Sequence, residues 1–387
     1  MSNNRKIYLV QILTSVSIWM TLVCCIWNVG FCQNLSPIKL GVMSFCFSGA
    51  MALFNGLMAM MIKPTKAKTI MIVASLVDIM VYMLMYRTDI QKNAIFIYIF
   101  VVASCFSIIS IAKDKMFAVI SVQCSDNSEK IFKLLRFLGP ILGGILTQLI
   151  SYNNLMVLNV ILLICALIIE LGIVAVDTDE ELEKEETHYI KTNFYDNNQK
   201  IFRIFLVMTF IITISIQMID AQLATVFHIV DNAAAIFIGL CIGISGIGVF
   251  FISCFYEKYF VKESFFYAGF LGMGSLMMLA GWYFTVNHGA NLLVVFLMFF
   301  LGGVCWQIVM STHENIIKSV TDYDKMMMLF TIVGILVIFS YSIGAIVSGY
   351  IVKAIGIEKL YIGIGCVLVV TAGIGCVIKK ILFPHKA

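Results

Sequence analysis

Twelve strongly apolar stretches follow one another along almost the whole chain, and this repetition limits what the chain can fold into. A stretch of about 20 apolar residues spans a hydrocarbon core as a helix, because lipid cannot satisfy exposed backbone N–H and C=O groups. The composition agrees, since 61% of the 387 residues are hydrophobic and 12% are charged. The pattern predicts an all-α membrane protein and excludes a water-soluble domain. We predict spans at residues 7–31, 40–62, 69–86, 94–112, 131–151, 155–176, 201–227, 234–255, 264–285, 291–311, 326–351 and 360–378.

The lysines and arginines predict the orientation of these helices. If the N-terminus is cytoplasmic, 21 of the 26 cations fall in cytoplasmic segments, including Lys133 and Arg136, which enter the fifth span. Cytoplasmic loops are enriched in Lys and Arg, so we expect both termini in the cytoplasm. The net charge of +4 is then a sign of topology and not of nucleic-acid binding. The cations left on the other side are Lys39, Arg87, Lys92, Lys353 and Lys359.

One long polar segment, residues 177–200, divides the spans into six and six. It opens with DTDEELEKEE, in which seven of ten residues are acidic. Such a run cannot be buried, so it predicts a cytoplasmic linker between an N-terminal half, residues 1–176, and a C-terminal half, residues 201–387. A plain tether and a regulatory or partner-binding segment both remain open.

Motifs of enzymes and metal sites do not account for the chain. The 12 cysteines contain no C-x-x-C pair and fit small packing residues. There is no H-E-x-x-H, Walker or Rossmann pattern. Gly243 to Gly246 reads GISG, which resembles the nucleophile box of rhomboid proteases with Ser245 as nucleophile, but neither His288 nor His313 stands in a suitable motif. We expect no enzyme activity, no cofactor and no metal.

The fifth span carries a recognisable motif, RFLGPILGGIL. Gly139, Pro140, Gly143 and Gly144 match the G-P-x-x-G-G core of an exporter motif, and with the six-plus-six layout the chain resembles the major facilitator superfamily, in its macrolide-efflux-like and siderophore-exporter-like branch. Proline removes a backbone donor, and glycines permit close helix approach. The motif predicts helix packing, either at a moving interface between halves or at an ordinary close contact.

Other motifs of that superfamily are incomplete. Met60 stands where the loop after the second span usually has an acid, although Gly56 and the lysines of KPTKAK are present. The fourth span has no arginine, so the motif of many drug/proton antiporters is missing. Proton antiport and drug specificity therefore stay open.

Four carboxylates are expected at membrane depth, where ionisable groups are costly and are functional candidates. They are Asp78, Glu170, Asp220 and Glu314. In the family resembled, helices 1, 4, 7 and 10 line a central cavity and helices 3, 6, 9 and 12 are peripheral. Asp220 in the seventh span is therefore the first candidate for proton or cation coupling.

Polar and aromatic residues on those four helices are the candidates for substrate contact. Thr213, Gln217, Asp220, Ala224 and His228 are spaced for one helical face. For each such stripe, Ser and Gln side chains that hold packed helices together are an equal alternative. The predicted cavity residues are Gln11, Trp19, Ser107, Gln217, His228, Trp306 and Gln307.

The resemblance implies a secondary transporter, expected to be a monomer in the bacterial cytoplasmic membrane. It would export a small amphiphilic molecule, such as a drug, antibiotic or siderophore-like compound, by alternating access driven by a proton or cation gradient. Its expected partners are this small-molecule substrate, protons or other cations and the lipid bilayer, without nucleic acid. Two alternatives remain open: an importer of the same fold, and a membrane sensor or immunity-type protein that does not transport.

Overall fold

The computed structural model describes residues 3–88, 93–120, 122–173, 199–230, 233–255, 262–287, 290–318 and 323–382. Within these ranges the chain forms twelve long helices and a short helical turn, Leu223–Phe227. Residues 177–198 of the predicted linker lie outside the described residues. The helices are α1 Asn3–Phe31, α2 Pro37–Met61, α3 Pro64–Arg87, α4 Ala94–Ile120, α5 Val122–Leu149, α6 Tyr152–Leu171, α7 Gln199–Asp220, α8 Ala235–Phe255, α9 Glu263–Val286, α10 Leu292–Lys318, α11 Tyr323–Ile355 and α12 Ile357–Leu382.

The lengths and composition of the helices confirm the prediction of an all-α membrane protein. Eleven helices in the described part of the chain are long and apolar enough to cross a bilayer. The twelfth, α5, has a shorter apolar section, Leu134–Leu149, behind a polar first half. The predicted fifth span is therefore the apolar second part of a longer helix, whose first part is polar.

The connection between α4 and α5 differs from the prediction. The polar sequence after residue 112 suggested a loop, but α4 continues to Ile120 and α5 begins at Val122. This stretch contains no Pro or Gly, and a helix that leaves the bilayer keeps its backbone hydrogen bonds in water. A loss of apolar residues therefore marks the edge of the membrane and not the end of a helix.

Glycines let α5 approach two helices at once. A Cβ added to Gly143 would lie 2.9 Å from the Cα of Met20 in α1. On the other side, a Cβ added to Gly144 would lie 3.1 Å from the Cα of Gly239 in α8. The predicted packing motif thus lies between α1 of the N-terminal half and α8 of the C-terminal half.

The two halves are joined by close backbone contacts at the end of the bundle that carries the α1–α2 connection, which we call the closed end. A Cβ on Gly41 of α2 would lie 2.4 Å from the backbone oxygen of Ala345 in α11. One on Gly349 of α11 would lie 2.6 Å from the oxygen of Pro37. Backbone contact of this kind excludes side chains and water from between the helices.

Hydrogen bonds reinforce the closed end. Gln222, in the turn after α7, donates from Nε2 to the Pro37 oxygen at 3.0 Å and to Ser348 Oγ at 3.0 Å. Gln148 in α5 accepts a hydrogen bond at 3.1 Å from the backbone N–H of Ala235, the first residue of α8. Each bond satisfies a polar group that would otherwise be buried alone. The closed end therefore has specific polar contacts between the halves as well as apolar packing.

Candidate functional site

A central cavity lies between the two halves. Its volume is about 2020 Å³, including the part that is open to solvent. It extends from the closed end along α2 as far as Asn55 and Gly56, and α1, α2, α4, α5, α7, α8, α10 and α11 all contribute to its wall. The charged, amide and hydroxyl side chains in the wall are Ser44, Ser48, Asn55, Arg136, Gln217, Asp220, Ser245 and Tyr341.

A second cavity, which we call the side chamber, lies within the C-terminal half against α5. Its volume is about 800 Å³, including the part that is open to solvent. Its wall is rich in methionine and aromatic side chains, including Met273, Met277, Met298, Phe284 and Trp306. It shares part of its wall with the central cavity, so the two spaces adjoin. The shared residues are Arg136, Asp220, Ser245, Phe299 and Tyr341.

Arg136 and Asp220 are the charged residues in both walls. Arg136 lies in α5, three residues before Gly139, and Asp220 is the last residue of α7. Asp220 is exposed to the cavity and Arg136 is partly exposed, and the guanidinium attracts the carboxylate electrostatically. The hydrogen bonds and ion pairs found among the described residues include neither charged group. A cation and an anion are therefore available to a ligand at the junction of the two spaces.

Three of the predicted cavity residues lie in these walls. Trp19 and Gln217 line the central cavity, and Trp306 lines the side chamber. Gln217 donates from Nε2 to Ser44 Oγ in α2 at 2.8 Å, while its Oε1 is buried without a partner. The indole N–H of Trp19 is also buried without a partner. Both residues border the cavity, so a ligand there can reach polar atoms that the protein leaves unsatisfied.

The other predicted cavity residues are absent from the walls of the two spaces and lie between packed helices or at the closed end. Gln11 is buried in α1. Ser107 of α4 donates to the Met51 oxygen of α2 at 3.1 Å, and Gln307 donates to Ser311 one turn along α10 at 2.9 Å. The Ser107 bond corresponds to the alternative stated from the sequence, in which polar side chains hold helices together, whereas the Gln307 bond stays within α10.

His228 lies apart from the predicted polar face. α7 ends at Asp220, and Ala221 and Gln222 form a turn before the short helix Leu223–Phe227. The prediction of one continuous face from Thr213 to His228 is therefore wrong. The imidazole stacks on Phe31, with ring centroids 4.4 Å apart and planes inclined by 15°. His228 is outside the membrane-spanning helices, and partial burial lowers its pKa from the ordinary value of 6.5.

The remaining three carboxylates lie away from the cavity wall. Asp78 in α3 and Glu170 in α6 are both buried, and Ser75 donates to Glu170 Oε1 at 2.9 Å. Asp78 Oδ1 and Glu170 Oε2 have no hydrogen-bond partner. Glu314 forms an ion pair with Lys318 at 2.6 Å, one turn along α10, and both side chains are substantially exposed. Of the four candidates, Asp220 alone lies in the cavity wall.

Sequence reasoning missed Arg136 as a site residue, because it was assigned to the cytoplasmic end of the fifth span. The structure places it in the wall of both spaces, so it is not a loop cation. Its position three residues before Gly139, in the same predicted span as Gly139 and Pro140, was the signal that could have found it. Tyr341 and Ser245 are further wall residues that carried no such signal.

The fold was compared with known proteins. No protein-family model and no curated protein sequence matches this chain. Solved structures do match. The nucleoside transporter NupG aligns with a TM-score of 0.71 and 12% identity over 98% of this chain and 100% of its own.

Two further structures give the same result. The human organic anion transporter MFSD10 (TETRAN) aligns with a TM-score of 0.65 and 11% identity over 97% of this chain and 100% of its own. A bacterial homolog of the human lysosomal transporter Spinster, in an inward-facing and unoccupied conformation, aligns with a TM-score of 0.66 and 10% identity. The alignment covers 97% of this chain and 94% of the homolog. At such identities the likeness defines the fold alone. The chain has the major facilitator fold, with twelve membrane helices in two six-helix halves, as the sequence predicted.

Proposed function

We propose that this chain is a secondary transporter that exports a small amphiphilic molecule by alternating access, driven by a proton or cation gradient. The proposal keeps the narrower resemblance to macrolide and siderophore exporters. The observation that carries it is the central cavity, whose wall comes from both halves and holds Arg136 and Asp220 beside aromatic and aliphatic side chains. Clefts with mostly apolar walls and a few converging polar groups are typical ligand sites.

The closed end supports an alternating-access mechanism. Its contacts between the halves are specific and join distant parts of the chain: Gln217 with Ser44, Gln222 with Pro37, and Gly41 with Ala345. Such contacts can form and break as a set when rigid halves rock against each other. A substrate in the central cavity would then be exposed to one side of the membrane at a time.

Asp220 is the proposed coupling residue. It borders the cavity, and its environment includes the opposite charge of Arg136. A carboxylate whose hydration changes between two conformations can bind a proton or cation in one and release it in the other. Because Gln217 on the same face of α7 bonds to Ser44, movement of the halves also moves the surroundings of Asp220.

The proposed orientation places both termini in the cytoplasm of a bacterial cell, with the closed end outside. It rests on the cation distribution, which remains strongly biased after Arg136 is removed from the loop cations. Reporter fusions at Asn34 and Asn154 should report outside, and fusions at Pro64 and Glu183 should report inside. Inverted signals at all four positions would reverse the orientation and with it the direction of export.

Flux measurements in vesicles test the function. In inside-out vesicles, an acidic lumen should drive accumulation of an amphiphilic substrate by an antiporting exporter, and Asp220→Asn should abolish it. An importer that moves protons with its substrate would deplete the lumen instead. Absence of flux across a broad library of labelled amphiphiles, at matched protein levels, would favour the sensor or immunity-type alternative, which retains the fold without transport.

A further inference from the structure

We infer that the transported molecule is a zwitterionic amphiphile: its anionic group binds Arg136, its cationic group binds Asp220, and its apolar body enters the side chamber. The inference rests on the proposed function, because it assigns a substrate class to the same cavity. It draws on three observations, which are the balance of charge, the availability of both charged groups and the shape of the adjoining space.

The balance of charge favours a ligand with no net charge. Among the residues that the structure describes, the walls of both spaces contain one cation, Arg136, and one anion, Asp220. A ligand with a single charge would pair with the wall group of opposite charge. The same ligand charge would be repelled by the wall group of like charge, which would stay unpaired. Charges in surroundings of low dielectric are costly unless they are paired. The site therefore discriminates against organic cations and organic anions alike.

The availability of both groups favours a zwitterion over an uncharged ligand. Neither the Arg136 guanidinium nor the Asp220 carboxylate takes part in the hydrogen bonds or ion pairs found among the described residues. A guanidinium can donate two parallel hydrogen bonds to a carboxylate or phosphate, and a carboxylate can accept from an ammonium group. Charge-assisted hydrogen bonds are about twice as strong as neutral ones. A ligand that carries both charges makes both kinds of bond.

The side chamber fits the apolar body of such a ligand. Its empty space of about 800 Å³, which includes a part open to solvent, adjoins the central cavity. Met273, Met277 and Met298 provide flexible, polarisable contacts, and Phe284 and Trp306 provide flat aromatic ones. Since Arg136 and Asp220 border the chamber, a headgroup bound to them leaves its apolar body next to this wall.

One dipeptide, tested free and in three capped forms, tests the charge requirement. The dipeptide of tryptophan and phenylalanine is a zwitterion; its amide is a cation, its N-acetyl form an anion, and its N-acetyl amide is neutral. All four share the same aromatic body. Binding to the full-length protein in detergent, measured by thermal stabilisation and by calorimetry, should be at least about tenfold tighter for the zwitterion than for each other form.

Variants assign each charge to its residue. Arg136→Gln should remove the advantage of a free carboxylate, so that the zwitterion binds no tighter than its amide. Asp220→Asn should remove the advantage of a free amine, so that the zwitterion binds no tighter than its N-acetyl form. Lys353→Gln, which removes an exposed cation near the end of α11, should leave the order of the four forms unchanged. If Arg136→Gln does not fold, Arg136→Lys keeps the charge and should keep the order with weaker binding of the carboxylate forms.

Gly302→Leu tests the chamber separately. A Cβ at Gly302 meets its nearest neighbour, Leu276, at 3.8 Å, so the backbone tolerates a side chain that fills the space. All four forms should bind more weakly with their order preserved.

Equal binding of a singly charged or neutral form in the wild-type protein, or no measurable binding of any form, would overturn the inference. Because binding is measured without flux, a zwitterion preference in a protein that transports nothing would instead refute the proposed function alone.

Discussion

Gly239 of α8 packs directly against the backbone of Pro140 in α5, so that a Cβ added to Gly239 would lie 2.3 Å from the Pro140 oxygen. The two residues belong to different halves of the protein. One turn further along α8, a Cβ added to Gly243 would lie 2.8 Å from the Phe137 oxygen. The contact between α5 and α8 is therefore made by backbone against backbone at these positions, and it leaves no room for a side chain at Gly239 or Gly243.

This contact predicts a strong effect from the smallest substitution. Gly239→Ala should lower the stability of the protein by about 1–3 kcal/mol, because two helix backbones must separate to admit one methyl group. Gly373→Ala in α12 is the matched control, since nothing lies within 4 Å of its added Cβ. It should be neutral, or stabilising by up to about 1 kcal/mol through helix propensity. Unfolding in detergent, followed by tryptophan fluorescence, compares them, and equal transition midpoints would contradict the assignment.

Asp220→Asn should abolish gradient-driven flux while leaving folding and membrane level near those of the wild type. The substitution keeps the size of the side chain and removes its charge and its titration. Asp220 is exposed to the cavity, so the neutral amide remains solvated. Flux is measured in vesicles with and without an imposed pH gradient at matched protein levels.

The buried carboxylates Asp78 and Glu170 provide the comparison with Asp220. Both lie outside the cavity wall, and Glu170 already accepts a hydrogen bond from Ser75. The comparison variants are Asp78→Asn and Glu170→Gln. We expect both variants to retain gradient-driven flux. Normal flux in Asp220→Asn together with loss in either of these variants would place energy coupling in the α3–α6 pair instead.

Much of the fold was predictable from the sequence, because membrane spans follow from apolar run length alone. What each glycine contacts was not predictable in the same way. Gly139, Pro140, Gly143 and Gly144 indicate that α5 needs a close neighbour, but close approach is a property of two helices. The matching glycines of α8 were visible as GISG and had no evident partner until α5 was placed beside them.

The site was predicted in part, and the misses have physical causes. An apolar-run criterion places a charged residue at the edge of a span, so Arg136 was assigned to the cytoplasmic end. It lies instead in a cavity wall, where solvent reduces the cost of its charge. The end of α7 was also missed, since residues 221–222 contain neither Pro nor Gly. Tertiary hydrogen bonds of Gln222 to Pro37 and Ser348 favour the turn that local sequence does not.

Gln222→Leu should loosen the closed end. The substitution removes both hydrogen bonds of Nε2, each of which contributes about 0.5–1.5 kcal/mol. Backbone amides of α2 near Pro37 should then exchange with deuterium faster than in the wild type, as followed by mass spectrometry. Thr285→Val is the control, because the Thr285 hydroxyl bonds only to Gly281 of its own helix, at 2.8 Å. Unchanged exchange in Gln222→Leu would show that glycine packing alone holds this end closed.

Acidification should also loosen the closed end, through the stack of His228 on Phe31. Partial burial lowers the pKa of His228 below 6.5, so the closed conformation favours the neutral imidazole. A group of this kind contributes fully to closure above its ordinary pKa, and the contribution is lost as the pH falls through the lowered value. Lowering the pH from about 7.5 to about 5 should therefore reduce the protection of amides near Pro37 from deuterium exchange, after correction for the slower intrinsic exchange in acid, more in the wild type than in His228→Phe. The phenyl ring keeps the stacking and cannot titrate, so any acid response that survives in His228→Phe belongs to other groups, Asp220 among them. An identical pH response in the two proteins would rule out His228 as the source.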